Sequence, residues 1–134
     1  MTRERLEETL SVLLQDTPPH VLAAWLFGSE ARGEAGQRSD VDVAVLYAAP
    51  PVSRLDAGPL DLEGALERAL GRPVQLVVLN RAPADLVHRV LRDGRLLLDR
   101  DRAARIRFEV ESRNEYFDLA PLRSRYRAGG RRAS

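Results

Sequence analysis

The sequence predicts a mixed α/β (α+β) domain in which one small β-sheet is covered by helices, and three observations carry that expectation. Val21 to Phe27 (VLAAWLF) is a short continuous apolar run, the pattern of a buried strand, and the β-branched Val41 to Tyr47 (VDVAVLY) and Val74 to Leu79 (VQLVVL) read as two further strands. Between and around them apolar residues recur at the three- and four-residue spacing of amphipathic helices. Strands alternating with helices give a helix-covered sheet. The length, 134 residues, suits one domain with one core.

The elements follow in order. Thr2 to Asp16 is a helix, with Leu6, Leu10, Leu13 and Leu14 on one stripe and Thr2 as N-cap. Pro18 and Pro19 end it. The first strand is broken at Gly28-Ser29, and a small polar segment runs to Ser39. The second strand has Asp40 at its mouth. Pro50 to Pro59 is a connection, followed by a helix from Leu60 to Leu70 with Leu62, Leu66, Ala69 and Leu70 on one face and Gly71 as C-cap. After the third strand, Ala84 to Arg92 is a helix stopped at Asp93-Gly94, and Arg95 to Leu98 is a short edge strand. Arg102 to Arg127 is helical, kinked or split at Pro121. A single domain is expected over 1–128, with 129–134 a disordered basic tail.

Composition narrows the function classes. With 44% hydrophobic and 31% charged residues the chain reads as globular. The 21 basic residues are all Arg and nearly balance 20 acids, leaving +1, which gives no reason to expect direct nucleic-acid or membrane binding. The absence of Cys excludes disulfides, thiolate metal sites and a Cys nucleophile. The charged N-terminus lacks an apolar signal core and no apolar run approaches the ~20 residues of a membrane span, so a cytoplasmic protein is expected. His20 and His88 read as structural or surface residues, Trp25 as core, and Tyr47, Tyr116 and Tyr126 as packing or interface residues.

The chemistry is concentrated between Gly28 and Leu46. Asp40 and Asp42 open a strand two residues apart, so both carboxylates point to one face, about 6.5–7 Å apart along the chain. Such a pair can converge on divalent cations, and Mg²⁺ fills its remaining positions with water and substrate phosphates. Upstream, Gly28 permits close backbone approach to a ligand, and the Ser29 hydroxyl with backbone amides at the N-terminus of a short helical turn makes an anion site. Either piece alone is a common turn or a solvated strand end; their order, strand, G-S-x-A-R-G, then S-D-x-D opening a second strand, is far more specific.

Phe27-Gly28-Ser29, Ala31-Arg32-Gly33 and Ser39-Asp40-Val41-Asp42 together resemble the minimal nucleotidyltransferase (MNT) branch of the DNA polymerase β-like superfamily. Leu79-Asn80-Arg81-Ala82, Arg92-Asp93-Gly94 with Leu96-Leu97-Leu98, and Phe108-Glu109 with Glu115-Tyr116 extend the likeness over Leu6 to about Arg127. The resemblance implies a polymerase β-like fold with a small mixed sheet, and transfer of a nucleoside monophosphate from ATP with two Mg²⁺ ions. On it, Asp40 and Asp42 are the catalytic metal ligands, Gly28, Ser29 and Ser39 hold the nucleotide, and Arg32 faces a phosphate or makes a structural salt bridge. It further implies a toxin–antitoxin setting, in which the antitoxin transfers AMP to a tyrosine of a HEPN ribonuclease toxin and also binds it. The C-terminal helix, with Phe108, Tyr116, Phe117 and Leu119, either docks that partner or covers the sheet.

The sequence departs from the family at its third carboxylate. The segment where that acid is expected reads Val74-Gln75-Leu76-Val77-Val78-Leu79, so Gln75 and Val78 stand at the two acidic positions. A Gln carbonyl can ligate a cation but carries no charge. Glu67 and Asp85, the nearest acids, lie on predicted helices. Two outcomes remain open, an active enzyme resting on Asp40 and Asp42, or an impaired one that neutralises the toxin by binding alone. A small-molecule acceptor is a third, disfavoured because a second domain usually completes such a pocket.

Overall fold

The computed structural model describes residues 2–33, 40–51 and 57–118. Ser39, Leu119, Pro121, Tyr126 and the basic tail lie outside them. The elements run α1 (Arg3–Gln15), β1 (Val21–Phe27), α2 (Gly28–Arg32), β2 (Val41–Tyr47), α3 (Ala57–Leu70), β3 (Val74–Val78), a 3₁₀ turn (Leu79–Arg81), α4 (Ala84–Asp93), β4 (Arg95–Asp99) and α5 (Arg102–Asp118). The sheet order is β3-β2-β1-β4. β1 pairs antiparallel with β2 and β4, and β2 pairs parallel with β3, so the sheet is mixed.

Each face of the sheet carries its own core. On one, Leu6, Leu10 and Leu14 of α1 and Leu66 of α3 pack on Val21, Ala24, Leu26, Val41, Val43 and Val45. Each leucine so buried contributes roughly 1.5–3 kcal/mol relative to exposure. The N-cap forms as expected, the Thr2 hydroxyl accepting from the Arg5 amide at 3.2 Å. On the other face Ala23, Trp25, Ala44 and Leu46 pack against Val87 and Val90 of α4, with Phe108 of α5 at the margin. Trp25 is a core residue, as predicted. Tyr47 is buried and stacks on His20, and Tyr116 stacks on His88.

Several expectations shift. Gly28–Arg32 is the short helical turn expected there, and the changes lie elsewhere. α3 begins at Ala57, three residues before the predicted start, because Pro59 falls in its first turn, where its missing N–H costs nothing. Ala69 is exposed, while Leu62 and Leu70 pack on the core. β3 ends at Val78, and Leu79 opens the 3₁₀ turn. Gly71 caps α3 at φ +67 as predicted. Among the described residues no helix is long and apolar enough to cross a membrane.

Side chains finish what the backbone leaves open. The outward amides of Val74 and Leu76, on the free edge of β3, donate to the Glu67 and Glu63 carboxylates of α3 at 3.0 and 2.9 Å. Asn80 bonds both the amide and the carbonyl of Tyr47, at 2.9 Å each. Arg100 donates to the carbonyls of Leu14, Gln15, Thr17, Pro18 and Val21, pinning the α1–β1 turn.

Candidate active site

The end of β1 and the starts of β2 and β3 meet at one edge of the sheet, and the acids sit there because the register puts them there. Asp42 lies opposite Phe27 of β1 and opposite Gln75 of β3. It shares its face with Ala44 and Leu46, the face covered by α4 and α5. Asp40, one step outside the strand, is exposed, and Asp42 is half-buried.

Gly28 brings α2 down onto that carboxylate. It has φ +74, a left-handed conformation that costs other residues, and a Cβ built there would lie 3.1 Å from Asp42 Cγ and closer still to Oδ2. Glycine is required here twice, by backbone angle and by space. Ser29 follows, half-buried, and Arg32 closes the short helix on its exposed side.

Burial first, and the Asp40 charge second, push the Asp42 carboxyl above its ordinary range, while Arg32 pulls it part of the way back. Arg32 also helps to hold down Asp93 at the end of α4, after the stronger hydrogen bond from Arg92. Arg32 thus belongs to the electrostatics of this edge, and the Arg92-Asp93 pair, at 2.9 Å, is a neighbour the sequence did not place there.

Strand parity separates the two positions where a third acid was expected. Gln75 is the register partner of Asp42, on the same face and exposed; Val78 belongs to the core on the opposite face, with α1 and α3. Val78 is therefore not a position from which an acid could reach Asp42. Glu67 is engaged in capping β3, and Asp85 lies near the start of α4, at the other end of that helix from Asp93. Among the described residues no group of three or more His, Cys, Asp or Glu is placed to hold a metal ion. Two carboxylates that repel one another, one partly withdrawn from water, still fit a divalent cation, which would offset both the burial and the repulsion that raise Asp42.

Phe108 of α5 turns toward the sheet and Tyr116 lies on His88, while Phe117 is 58% exposed. Coverage and an open surface are both present on α5.

This arrangement has counterparts. The family model described as "Polymerase beta, Nucleotidyltransferase" matches residues 8–103. Protein adenylyltransferase MntA of Shewanella oneidensis is 35% identical over 92 residues, 68% of this chain and 63% of that protein, so the match spans less than two thirds of the relative's length. A toxin–antitoxin crystal structure with AMP-PNP superposes at TM-score 0.74 and 30% identity, covering 88% of this chain and 92% of the other. A chain from the complex of tri-AMPylated Shewanella oneidensis HEPN toxin with MNT antitoxin superposes at 0.71 and 27%, covering 92% and 93%. With the family model spanning most of the chain and the Gly28–Asp42 edge lying inside it, this chain belongs to the polymerase β nucleotidyltransferase family.

Proposed function

We propose that the chain is an MNT-type antitoxin that transfers AMP from ATP to a tyrosine of a cognate HEPN ribonuclease toxin and so neutralises it. The observation that carries this reading is the Asp42 carboxylate seated against Gly28 and beside Asp40. That edge offers two hard oxygen ligands held beside the start of α2, which suits a reaction catalysed mainly by positioning and charge neutralisation. The relative named as a protein adenylyltransferase and the structural likeness to a toxin–antitoxin pair with AMP-PNP and to an AMPylated HEPN toxin complex support the acceptor class.

In this reading Asp40 and Asp42 hold Mg²⁺, which would supply charge neutralisation for the triphosphate and lower the pKa of the acceptor hydroxyl. Gly28 lets the start of α2 sit against the Asp42 carboxylate, and Ser29 beside it offers a hydroxyl donor to the phosphates. Arg32 adds a positive charge beside a site that gathers negative charge. The tyrosine oxygen bonds to the α-phosphorus as the bond to pyrophosphate breaks.

Gln75 favours a second reading. A neutral amide at the register position beside Asp42 cannot accept the hydroxyl proton or offset the charge of two cations. In that case the chain silences the toxin by contact alone. Incubation with ATP, Mg²⁺ and the toxin, followed by intact mass, separates the two. AMP-sized steps on the partner, absent in Asp42→Asn, support transfer; an unmodified toxin held silent in a stable complex supports binding alone.

A further inference from the structure

Glu30 is the one charged residue buried among the described residues, 8% exposed. Its carboxylate pairs with the guanidinium of Arg72, whose side chain is itself mostly withdrawn from water. A pair so placed gives up hydration that its attraction does no more than offset, so its contribution lies in the geometry it imposes. That geometry is specific. Glu30 sits in the middle of α2, directly after Ser29, and Arg72 stands just before β3, three residues ahead of Gln75.

α2 needs an external hold. Five residues are too few for a helix to persist by its own hydrogen bonds, and Phe27 at its N-cap offers no side-chain bond. Arg72 supplies one tie, and Arg3 of α1 supplies another, donating to the Ala31 carbonyl at 3.2 Å. Two arginines from elements flanking the sheet edge thus grip a helix that carries Gly28, Ser29 and Arg32. An apolar contact could bury the same surface but would leave α2 free to slide or rotate; a charged, directional bond does not.

We propose that the Glu30–Arg72 pair is a positioning device for the nucleotide site. It locks α2 to the entry of β3 and thereby sets the distance between Ser29 and the edge formed by Asp40, Asp42 and Gln75. The two residues touch neither nucleotide nor acceptor; they act through α2. The consequence for nucleotide rests on the transferase reading above, whereas the mechanical link does not.

The test replaces both partners with apolar residues, Glu30→Leu with Arg72→Met, so that no charge is left buried and alone; Arg72→Lys keeps the charge and loses the fork. In the nucleotide-free chain, amide exchange at residues 29–33 should accelerate about tenfold or more in the double variant, with α1 and β1 amides unchanged and cooperative unfolding retained. With ATP and Mg²⁺, the KM for ATP should rise about tenfold while kcat falls less, with Arg72→Lys in between. Unchanged exchange at 29–33 overturns the link. Accelerated exchange with an unchanged KM overturns the positioning role and leaves a purely structural pair. A wild-type chain that neither transfers nor binds ATP overturns the transferase reading instead, and the exchange measurement still decides the link.

Discussion

Gly28→Ala should separate the cost of strain from the cost of a displaced carboxylate. The new Cβ must adopt φ +74, a penalty of about 1–2 kcal/mol for a non-glycine residue. In a domain of this size that lowers Tm by roughly 3–10 °C. The same Cβ lies 3.1 Å from Asp42 Cγ and overlaps Oδ2, so one group must give way. The Asp42 backbone is paired to Phe27 on one side and Gln75 on the other, which leaves rotation of the carboxylate as the route of relief. A ligand moved by about 1 Å costs on the order of 100-fold in rate. Gly71→Ala is the control, since Gly71 has φ +67 but nothing within 4 Å of its Cβ. It should lose comparable stability and keep full activity. Melting curves of both variants, with intact-mass rates of AMP transfer to the toxin, make the comparison. If Gly28→Ala transfers within about twofold of Gly71→Ala, the contact between Gly28 and Asp42 does not govern the site and the argument fails.

Three further outcomes are expected. Because the Asp42 carboxyl is raised above its ordinary value of 3.8, the folded chain holds that proton more tightly than the unfolded chain. Its contribution to stability is therefore lost as pH rises from about 4 through the raised folded value. In chelator, Asp42→Asn should melt higher than wild type near pH 7 and equally at pH 3, and added Mg²⁺ should raise the wild-type Tm alone; a less stable Asp42→Asn near pH 7 in chelator refutes the sign. Gln75→Asp should strengthen Mg²⁺ binding and raise transfer about tenfold or more, while lowering metal-free stability by adding a third negative charge beside Asp42; calorimetric Mg²⁺ titration and transfer rates report both. Arg100→Ala leaves the carbonyls of the α1–β1 turn short of donors and should cost about 1–3 kcal/mol in denaturant unfolding. Its specific transfer activity should be unchanged, because the turn lies at the opposite end of β1 from Asp42.

What the sequence made legible was set by the range of the signal. β1 and β2 appear with their predicted bounds because an unbroken apolar run ends at Gly28 and a β-branched one begins after Asp40, local features that admit one reading. Leu6, Leu10 and Leu14 show their face through spacing alone. α2 was legible only as a short helical turn; Arg3 and Arg72, which hold it, lie 28 and 42 residues away from the residues they grip and leave no local signal. The early start of α3 was hidden by Pro59, which breaks a helix in its interior but not in its first turn. The choice between Gln75 and Val78 depended on how β3 aligns with β2, a pairing no local pattern specifies. Glu30 reads as one more surface acid until its partner is brought alongside.

The two glutamates of α3 that receive the outward amides of β3 have a consequence for how this chain meets other molecules. An open strand edge is a template on which a second chain can add its own strand, whether as a recognition mode or as the start of an aggregate. Glu63 and Glu67 occupy the donors that such a strand would need at Val74 and Leu76. Each also places a carboxylate where the incoming backbone would present its carbonyl oxygens. The sheet is thereby closed to extension beside the very strand that carries Gln75. A protein approaching Asp40 and Asp42 from the β3 side would have to engage helix and loop side chains rather than add a strand there.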